Sequence, residues 1–311
     1  MIESVEACGG DGGGSVVLPS QGILRTGLRL LRIQQWTKNL LVLAALLFAA
    51  QFHLPKQILL AGLAFIAFCL VSSAVYIGND LLDREADRAH PRKRLRPVAS
   101  GAVQPGVAAL IAVSLAAVGV TLAAIVSPGV LWCAVAYIAL QVAYSICLKT
   151  VVILDVMSIS AGFVLRAVAG AYAIDAVISP WLLICTILLA LFLALSKRRS
   201  ELFASDQPQS HRRVLGDYSP PFLDQLISIV TSCTVLAYIL YTFSDQTTMK
   251  FHSRLMPLTS PFVLYGIFRY LFLIHQKSAG GEPEMLLIQD MPLLANIVLW
   301  AGTVAAIVFL S

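Results

Sequence analysis

The stretch Gln57–Asp87, QILLAGLAFIAFCLVSSAVYIGNDLLDREAD, decides how this chain folds. Its first part, Gln57–Gly78, is an apolar run long enough to cross a bilayer core, which takes about 20 helical residues. Where that run ends, the chain carries Asp80, Asp83 and Asp87. The stretch therefore predicts a transmembrane helix that delivers three carboxylates to one membrane surface.

The whole chain shares this apolar character. Of its 311 residues, 58% are hydrophobic and only 13% are charged, whereas an ordinary soluble domain is about 25% charged. One aqueous globule cannot bury so much apolar surface, so lipid is the expected solvent. The net charge of +5 comes from blocks between apolar runs, unlike the interspersed basic surface of a nucleic-acid-binding protein.

The predicted fold class is an all-α polytopic membrane protein, in which about nine transmembrane helices form a bundle around a central cavity open to the cytoplasm. Residues 1–21 are Gly-rich and predict a disordered N-terminal tail, and residues 22–311 predict a single transmembrane domain. The apolar runs are Leu40–Phe52, Gln57–Gly78, Ala102–Val126, Val130–Leu148, Val151–Tyr172, Pro180–Ser196, Phe222–Phe243, Pro257–Ile274 and Met291–Leu310.

The basic residues orient the chain. With the N-terminus in the cytoplasm and the runs alternating, nearly all of the 22 Lys and Arg fall in cytoplasmic segments, as the positive-inside rule requires. The other side holds Lys56, Lys250 and Arg254, while Arg166 lies within the fifth run. We therefore expect a multi-pass plasma-membrane protein with a cytoplasmic site. The basic, amphipathic stretch Gly22–Lys38 predicts an interfacial helix before the first span.

The three aspartates predict a magnesium site. Asp80, Asp83 and Asp87 are spaced by three and four residues, so they share one face if the helix continues. They repel each other at a helix C-terminus, where the dipole already disfavours anions. Mg²⁺ would relieve this cost, because it suits carboxylate oxygens completed by water and substrate phosphate. The alternative is a solvated acidic helix end neutralised by Arg84 and Arg88.

A basic loop follows the aspartates directly and includes Lys93, Arg94 and Arg96. Such a loop anchors membrane topology. Next to a carboxylate cluster it also matches a polyphosphate site, with metal on one side and cationic side chains on the other. We interpret the loop as both an anchor and part of a phosphate site.

Later runs contribute further polar candidates at the same membrane face. Asp155 opens the fifth run and Arg166 follows about three helical turns later. Because charges within a span usually face a cavity or a partner, both are predicted site residues, the alternative being a structural pair between helices. The other candidates near the ends of runs are Tyr144, Lys149, Lys197 and Glu201.

Four motifs together resemble the UbiA-type intramembrane prenyltransferase superfamily, most closely its branch that transfers 5-phosphoribose to a polyprenyl (decaprenyl-type) phosphate. The motifs are Gln35-Trp36-x-Lys38-Asn39, Asn79-Asp80-x-x-Asp83-x-x-x-Asp87-x-x-His90-Pro91-x-Lys93-Arg94-x-Arg96-Pro97, Lys197-Arg198-x-x-Glu201-Leu202 and Gly281-Glu282-Pro283-Glu284. The resemblance implies that residues 22–311 form one UbiA-like domain.

The resemblance further implies Mg²⁺-dependent transfer of 5-phosphoribose from phosphoribosyl pyrophosphate to a polyprenyl phosphate, with release of pyrophosphate. Asp80, Asp83 and Asp87 would hold the metal, and Asp155 would bind a second metal or a ribose hydroxyl. The implied substrate-binding residues are Lys38, Asn79, Lys93, Arg94, Arg96, Tyr144, Lys149, Arg166, Lys197, Arg198 and Glu201. No nucleic-acid partner is expected, and a homo-oligomer is left open.

Two alternatives remain at this point. The first is a UbiA-type aromatic prenyltransferase that uses a polyprenyl diphosphate. Against it, Asp155 is followed at the fourth position by Ile159, so the second acidic motif of prenyl-diphosphate users keeps only one carboxylate. The second is a transporter or lipid-binding membrane protein without catalysis, which internal repeats with broken helices would support. The sequence shows no convincing repeat.

Overall fold

A computed structural model describes residues 22–49, 51, 53–89, 93–178, 180–203, 213–276, 286 and 289–310. The described residues form helices, turns and loops, without a β-strand. The predicted disordered tail, residues 1–21, lies outside the described residues. So do His90 and Pro91 of the second motif and all of the Gly281–Glu284 motif.

The described chain is a series of helices joined by short turns. The α-helices are α1 (Ile23–Leu31), α2 (Ala44–Phe48), α3 (Pro55–Leu82), α4 (Arg84–Ala89), α5 (Pro105–Val126), α6 (Pro128–Ile146), α7 (Leu154–Ala173), α8 (Pro180–Phe203), α9 (Pro220–Phe243), α10 (Asp245–Phe251), α11 (Ser260–Gln276) and α12 (Met291–Leu310). Short 3₁₀ segments cover Ile33–Leu43, Lys93–Leu95, Leu148–Thr150, Arg213–Gly216 and Met256–Thr259. Helices α3, α5, α6 and α9 begin at a proline, whose fixed φ and missing N–H suit the first helical turn.

Among the described residues, 7 helices are long and apolar enough to cross a membrane. They are α3, α5, α6, α7, α9, α11 with its leading 3₁₀ turn, and α12. The predicted class, an all-α polytopic membrane protein, is thereby confirmed. The count of about nine and the central cavity stay predictions. Helix α8 begins with the sixth predicted run, Pro180–Ser196, and continues beyond it to Phe203.

The first predicted run, Leu40–Phe52, is not one continuous α-helix. The 3₁₀ segment Ile33–Leu43 passes into the short helix α2, which ends at Phe48. Likewise the predicted interfacial helix Gly22–Lys38 is α-helical only over Ile23–Leu31, because Arg32 adopts a left-handed conformation and ends it.

Helix α3 is the centre of the N-terminal half and packs against α5, α6, α7 and the 3₁₀ segment. Its buried face carries Ala61, Ala64 and Ala67, small residues that let helix backbones approach closely within a membrane. Gly170 of α7 serves the same purpose, because a Cβ there would overlap the carbonyl of Val42. The 3₁₀ segment therefore lies directly on α7.

The C-terminal half packs around α8, with α7 on one side and α9 on the other. Phe192 of α8, Leu223 and Ile227 of α9, and Tyr270 of α11 share its buried core. Because successive long helices run in opposite directions, α3, α6 and α8 end where α7 and α9 begin. These five helix ends meet at one end of the bundle and carry the predicted site residues.

Candidate active site

The acidic stretch does not continue as one helix. Helix α3 ends at Leu82, Asp83 has non-helical backbone angles, and α4 begins at Arg84. A continuous helix would leave all three acids near a C-terminus. The break places Asp87 in the first turn of a new helix, where the dipole favours anions. It also explains why only two of the three carboxylates converge.

Asp80 and Asp87 meet at a shared guanidinium. Arg96 Nη1 lies 3.1 Å from Asp80 Oδ1 and 2.5 Å from Asp87 Oδ2. Arg32, from the end of α1, also donates to Asp80 Oδ1 and lies over the ring of Tyr76. The two carboxylates are 3% and 4% exposed, whereas Arg32 and Arg96 are 23% and 30% exposed. Buried anions are thus covered by two partly exposed cations.

Asp83 points away from this pair toward α6. Its Oδ1 lies 3.2 Å from Lys149 Nζ, and Lys149 belongs to the turn after α6. One residue before Asp80, Asn79 accepts a 2.6 Å hydrogen bond from Ser145 Oγ of α6. These contacts fasten the end of α3 to the end of α6, so Asn79, Asp83 and Lys149 lie together at the charged end of the bundle.

The aspartates supply carboxylate oxygens, the kind of ligand atom that a magnesium ion requires. In the described part of the chain no group of three or more His, Cys, Asp or Glu is already gathered tightly enough to enclose a metal. However, the carboxylates of Asp80 and Asp87 converge on one point, now held by a cationic nitrogen. Hard carboxylate oxygens that leave room for water and phosphate match magnesium. Asp80 and Asp87 therefore fit the ion, and Asp83 would have to turn from Lys149 to join them.

Asp155 is at the centre of a second, buried network. Its Oδ2 accepts a 2.6 Å hydrogen bond from Arg198 Nε, and its Oδ1 accepts a 2.8 Å hydrogen bond from the hydroxyl of Tyr218. Arg198 also donates to Glu201 across 2.6 Å and to the Tyr144 hydroxyl across 3.3 Å. The network joins the ends of α6 and α8 to the beginnings of α7 and α9.

Tyr218 also braces the start of α7. Its hydroxyl oxygen accepts a 2.8 Å hydrogen bond from the backbone N–H of Ile153, which has a left-handed φ of 70°. Such a conformation is costly for a β-branched residue. Burial raises the pKa of the Tyr218 hydroxyl well above its usual range, so the phenol stays protonated and keeps donating to Asp155.

Arg166 lies deep among helices and does not pair with Asp155. It donates from Nε to Asn39 Oδ1 across 2.7 Å, from Nη1 to the Gly162 carbonyl across 2.9 Å, and from Nη2 to the Tyr137 hydroxyl across 2.8 Å. All three of these hydrogen bonds have neutral acceptors. Its guanidinium also lies over the rings of Tyr137 and Phe163. A buried cation whose described partners are all neutral is costly, and within a membrane span such a position is usually functional.

The remaining predicted cations lie on the same elements. Lys38 is on the 3₁₀ segment between Trp36, which donates to Ser73 across 3.0 Å, and Asn39, which donates to Ser72 across 3.1 Å. Lys93 and Arg94 form the short 3₁₀ turn just before Arg96, and Arg94 is exposed. Lys197 lies in the last part of α8, next to Arg198.

Sequence reasoning missed several residues of this arrangement. Arg32 counted only as a topology anchor, and Tyr218 and Ser145 carried no signal at all. The position of Arg32 just before the Gln35-Trp36 motif was the one available hint. Asn39 appeared in a motif, but its partner Arg166 lies far along the chain, which no local spacing reveals.

A separate groove of about 550 Å³ lies at the opposite end of the bundle, between the start of α11 and the second half of α12. Leu255, Leu258 and Leu299 are among its lining residues, none of which is ionisable. Its surface is of the kind that faces lipid, so the chemistry belongs to the charged end.

The fold and this charged end define a membrane-embedded transferase class, and the chain belongs to the UbiA prenyltransferase family, whose profile matches residues 39–280. The decaprenyl-phosphate phosphoribosyltransferase of Mycolicibacterium smegmatis is 33% identical over 305 residues, which cover 94% of this chain and 95% of that one. The protein of the same name from Corynebacterium glutamicum is 32% identical over 302 residues, covering 94% and 89%.

Solved structures show the same fold. A UbiA homolog from Archaeoglobus fulgidus, bound to GPP and Mg²⁺, superimposes with a TM-score of 0.68 at 19% identity and covers 91% of this chain and 99% of its own. At that identity the likeness establishes the fold alone. It confirms that the chain has the helical architecture of the family that the sequence motifs indicated.

Proposed function

We propose that this protein transfers 5-phosphoribose from phosphoribosyl pyrophosphate to a polyprenyl phosphate of the decaprenyl type, and releases pyrophosphate. The observation that carries this proposal is the pairing of the buried carboxylates Asp80 and Asp87 with the partly exposed guanidiniums of Arg32 and Arg96. Relatives about one-third identical over nearly the whole chain carry the name of that activity.

The donor binds at the mouth formed by α3, α4 and the turn after α6. Asp80, Asp83 and Asp87 would hold Mg²⁺, which when bound neutralises charge on the departing pyrophosphate. Lys93, Arg94, Arg96 and Lys149 supply further cationic contacts to phosphate oxygens. The positive-inside pattern supports a mouth that faces the cytoplasm, the side on which a charged, water-soluble donor is available.

The acceptor needs little activation. An oxygen of the lipid phosphate attacks C1 of the ribose as the bond between C1 and the pyrophosphate oxygen breaks, and the electron pair leaves with pyrophosphate. A phosphate monoester has a second pKa of about 6, so the attacking oxygen is already anionic near neutrality. No general base is therefore needed. Arg166 is proposed to meet the lipid phosphate at the inner end of the site.

Asp155 supports the phosphoribosyl function over aromatic prenyl transfer. Both of its oxygens are engaged, by Arg198 and by Tyr218, and its side chain is fully buried. In that state it orients Arg198 and, through Arg198, Glu201 and Tyr144. A donor gripped between two acidic motifs needs a second exposed carboxylate cluster, which this arrangement does not favour.

The deciding experiment measures transfer of radiolabelled phosphoribose from phosphoribosyl pyrophosphate into organic-extractable lipid. Purified protein, polyprenyl phosphate and Mg²⁺ are compared with the Asp83→Asn variant and, as a matched control, with Glu85→Gln. Glu85 is exposed and two residues away. We expect labelled lipid that requires metal and Asp83 but not Glu85.

A parallel reaction supplies a polyprenyl diphosphate and an aromatic acid instead. Prenylated aromatic product there, with no labelled lipid in the first reaction, would overturn the proposal and establish the aromatic prenyltransferase alternative.

A further inference from the structure

Arg32 makes a contact that neither the sequence motifs nor the helix ends account for. Arg32 is the residue after α1 and lies outside both the acidic stretch and the basic loop. Its guanidinium nevertheless donates to Asp80, which is buried, as is Asp87. The contact joins the amphipathic N-terminal segment to the candidate metal site.

The backbone of Arg32 is held in an unfavourable conformation to make this contact. Its φ and ψ are 50° and 47°, in the left-handed region, which is unfavourable for a residue other than glycine. Neighbouring contacts fix the turn: Ser73 Oγ donates to the Leu31 carbonyl across 2.7 Å, and Trp36 Nε1 donates to Ser73 Oγ across 3.0 Å. Glycine or asparagine would adopt this conformation more readily than arginine. We therefore attribute the arginine at this position to the contact of its side chain with Asp80.

In the described ion pairs of the cluster, the negative and positive charges are equal in number, so a divalent cation could replace the two arginines as the counter-ion. Asp80 and Asp87 carry two negative charges, and Arg32 and Arg96 carry two positive charges. A divalent cation bound by the two carboxylates would replace both guanidiniums as their counter-ions. The freed guanidiniums would then face the anionic donor that arrives with the metal, where guanidinium–phosphate pairs are favourable.

We infer that Arg32 is a resident counter-ion of Asp80 that gives up this carboxylate when the metal binds and then binds the phosphates of the donor. Its partial exposure leaves it room to move, and the ring of Tyr76, 5.1 Å from the guanidinium carbon, offers a second contact that persists during the exchange. Arg96 shares the role but lies in the loop that already carried a phosphate-binding prediction. Arg32 is the new element.

The inference deepens the proposed function and rests on it only for the identity of the donor. The first measurement therefore uses the metal alone. Mn²⁺ is titrated into purified protein without substrate, and free Mn²⁺ is followed by its electron paramagnetic resonance signal. Arg32→Gly removes the guanidinium while keeping a residue that favours the left-handed turn. Arg25→Ala, on the exposed face of α1, is the matched control.

If Arg32 competes with the metal for Asp80, Arg32→Gly binds Mn²⁺ about 5- to 10-fold more tightly than the unmodified protein. Arg25→Ala is unchanged, and Arg32→Lys, which keeps a charge but loses the planar fork, lies between. A structural role alone predicts equal or weaker Mn²⁺ binding in Arg32→Gly, and that result would overturn the inference.

The second measurement is binding of phosphoribosyl pyrophosphate in the presence of saturating Mn²⁺. Arg32→Gly should weaken it about 10-fold, the effect of losing one charge-assisted hydrogen bond. Unchanged donor binding together with tighter metal binding would remove the second half of the inference. Failure of the lipid-labelling reaction would instead overturn the proposed function and leave the metal competition standing, so the two failures are distinguishable.

Discussion

Arg198 and Asp155 form an ion pair that is almost completely shielded, with 2% and 0% of the two side chains exposed and 2.6 Å between Nε and Oδ2. The pair links the end of α8 to the first turn of α7. Taking both charges out of water is expensive, so the pair stabilises only while both partners are present. It is thus a sensitive point of the fold.

Replacing one partner of this pair should therefore be strongly destabilising. Arg198→Met leaves the carboxylate of Asp155 buried without its cation and should lower the free energy of unfolding by about 3–5 kcal/mol. Equilibrium unfolding in mixed micelles measures this. Glu85→Gln, which breaks an exposed pair with Arg88, should cost less than about 1 kcal/mol. A small loss in Arg198→Met, or no recovery on adding Asp155→Asn, would contradict the prediction.

Stability at high pH should depend on Tyr218. Because burial raises the pKa of its hydroxyl, the folded state favours the protonated phenol. The stabilisation from this shift is complete below the ordinary tyrosine pKa of about 10 and is lost as pH rises through the raised value. The measurement compares unfolding of the protein and of Tyr218→Phe between about pH 8 and about pH 11, a range that brackets the ordinary tyrosine pKa.

In the unmodified protein the free energy of unfolding should fall above about pH 10 more steeply than in Tyr218→Phe. The variant should also lose about 1–3 kcal/mol at neutral pH, because the buried Asp155 carboxylate loses the hydroxyl that donates to it. Parallel pH profiles for the two proteins would show that Tyr218 does not titrate as described.

Replacing Lys149 should reduce transfer activity and leave the stability of the fold almost unchanged. Its contact with Asp83 joins two partly exposed groups, so the pair contributes at most about 1 kcal/mol to stability. Lys149→Met should accordingly unfold almost as the parent does. Transfer should nevertheless fall about 10- to 100-fold, because a cation facing the donor phosphates is lost. Equal activity in the two proteins would remove Lys149 from the site.

Arg166 should affect the lipid substrate and not the donor. Lysine keeps the charge but cannot reach Asn39, the Gly162 carbonyl and Tyr137 at once. Arg166→Lys should lower the free energy of unfolding by about 2–3 kcal/mol. It should also raise the KM for polyprenyl phosphate several-fold at unchanged KM for phosphoribosyl pyrophosphate. An unchanged lipid KM would leave Arg166 a purely architectural residue.

The contact between the 3₁₀ segment and α7 can be tested with alanine. In Gly170→Ala the new methyl group meets the Val42 carbonyl, which belongs to the backbone and cannot turn aside. Overpacking of this kind costs about 1–3 kcal/mol or more. Gly62→Ala on α3 is the matched control, because a Cβ there meets nothing within 4 Å. Equal thermal stability of the two variants would contradict the close approach.

Much of the fold could be predicted because long apolar runs leave few alternatives. The runs after Gln57 gave helices close to those of the structure, and the clustering of charge indicated one functional end. The first run, Leu40–Phe52, misled because hydropathy does not distinguish a 3₁₀ segment from an α-helix. The break at Asp83 was also missed, because the spacing of the acids is equally compatible with a continuous helix. The break moves Asp87 from near a helix C-terminus to a helix N-terminus, where the dipole favours an anion.

The candidate site was predictable only in its local parts. Asp80 and Asp87 were predicted together from their spacing of seven positions, and they share Arg96 as a partner although the helix breaks between them. The cations that pair with the buried aspartates could not be predicted from local spacing. Arg32 is 48 positions from Asp80 in the chain, and Arg198 is 43 positions from Asp155. Such pairings follow from the packing of whole helices, which no sequence window contains.

The order of the buried partners along the chain has a consequence for insertion into the membrane during synthesis. Asn39 and Tyr137, which hold Arg166, are both made before it, so this cation can be received by helices already in place. Asp155 is made before its partner Arg198. Until α8 has emerged, the Asp155 carboxylate lacks this cation, so we expect the first turn of α7 to stay at the aqueous surface up to that point.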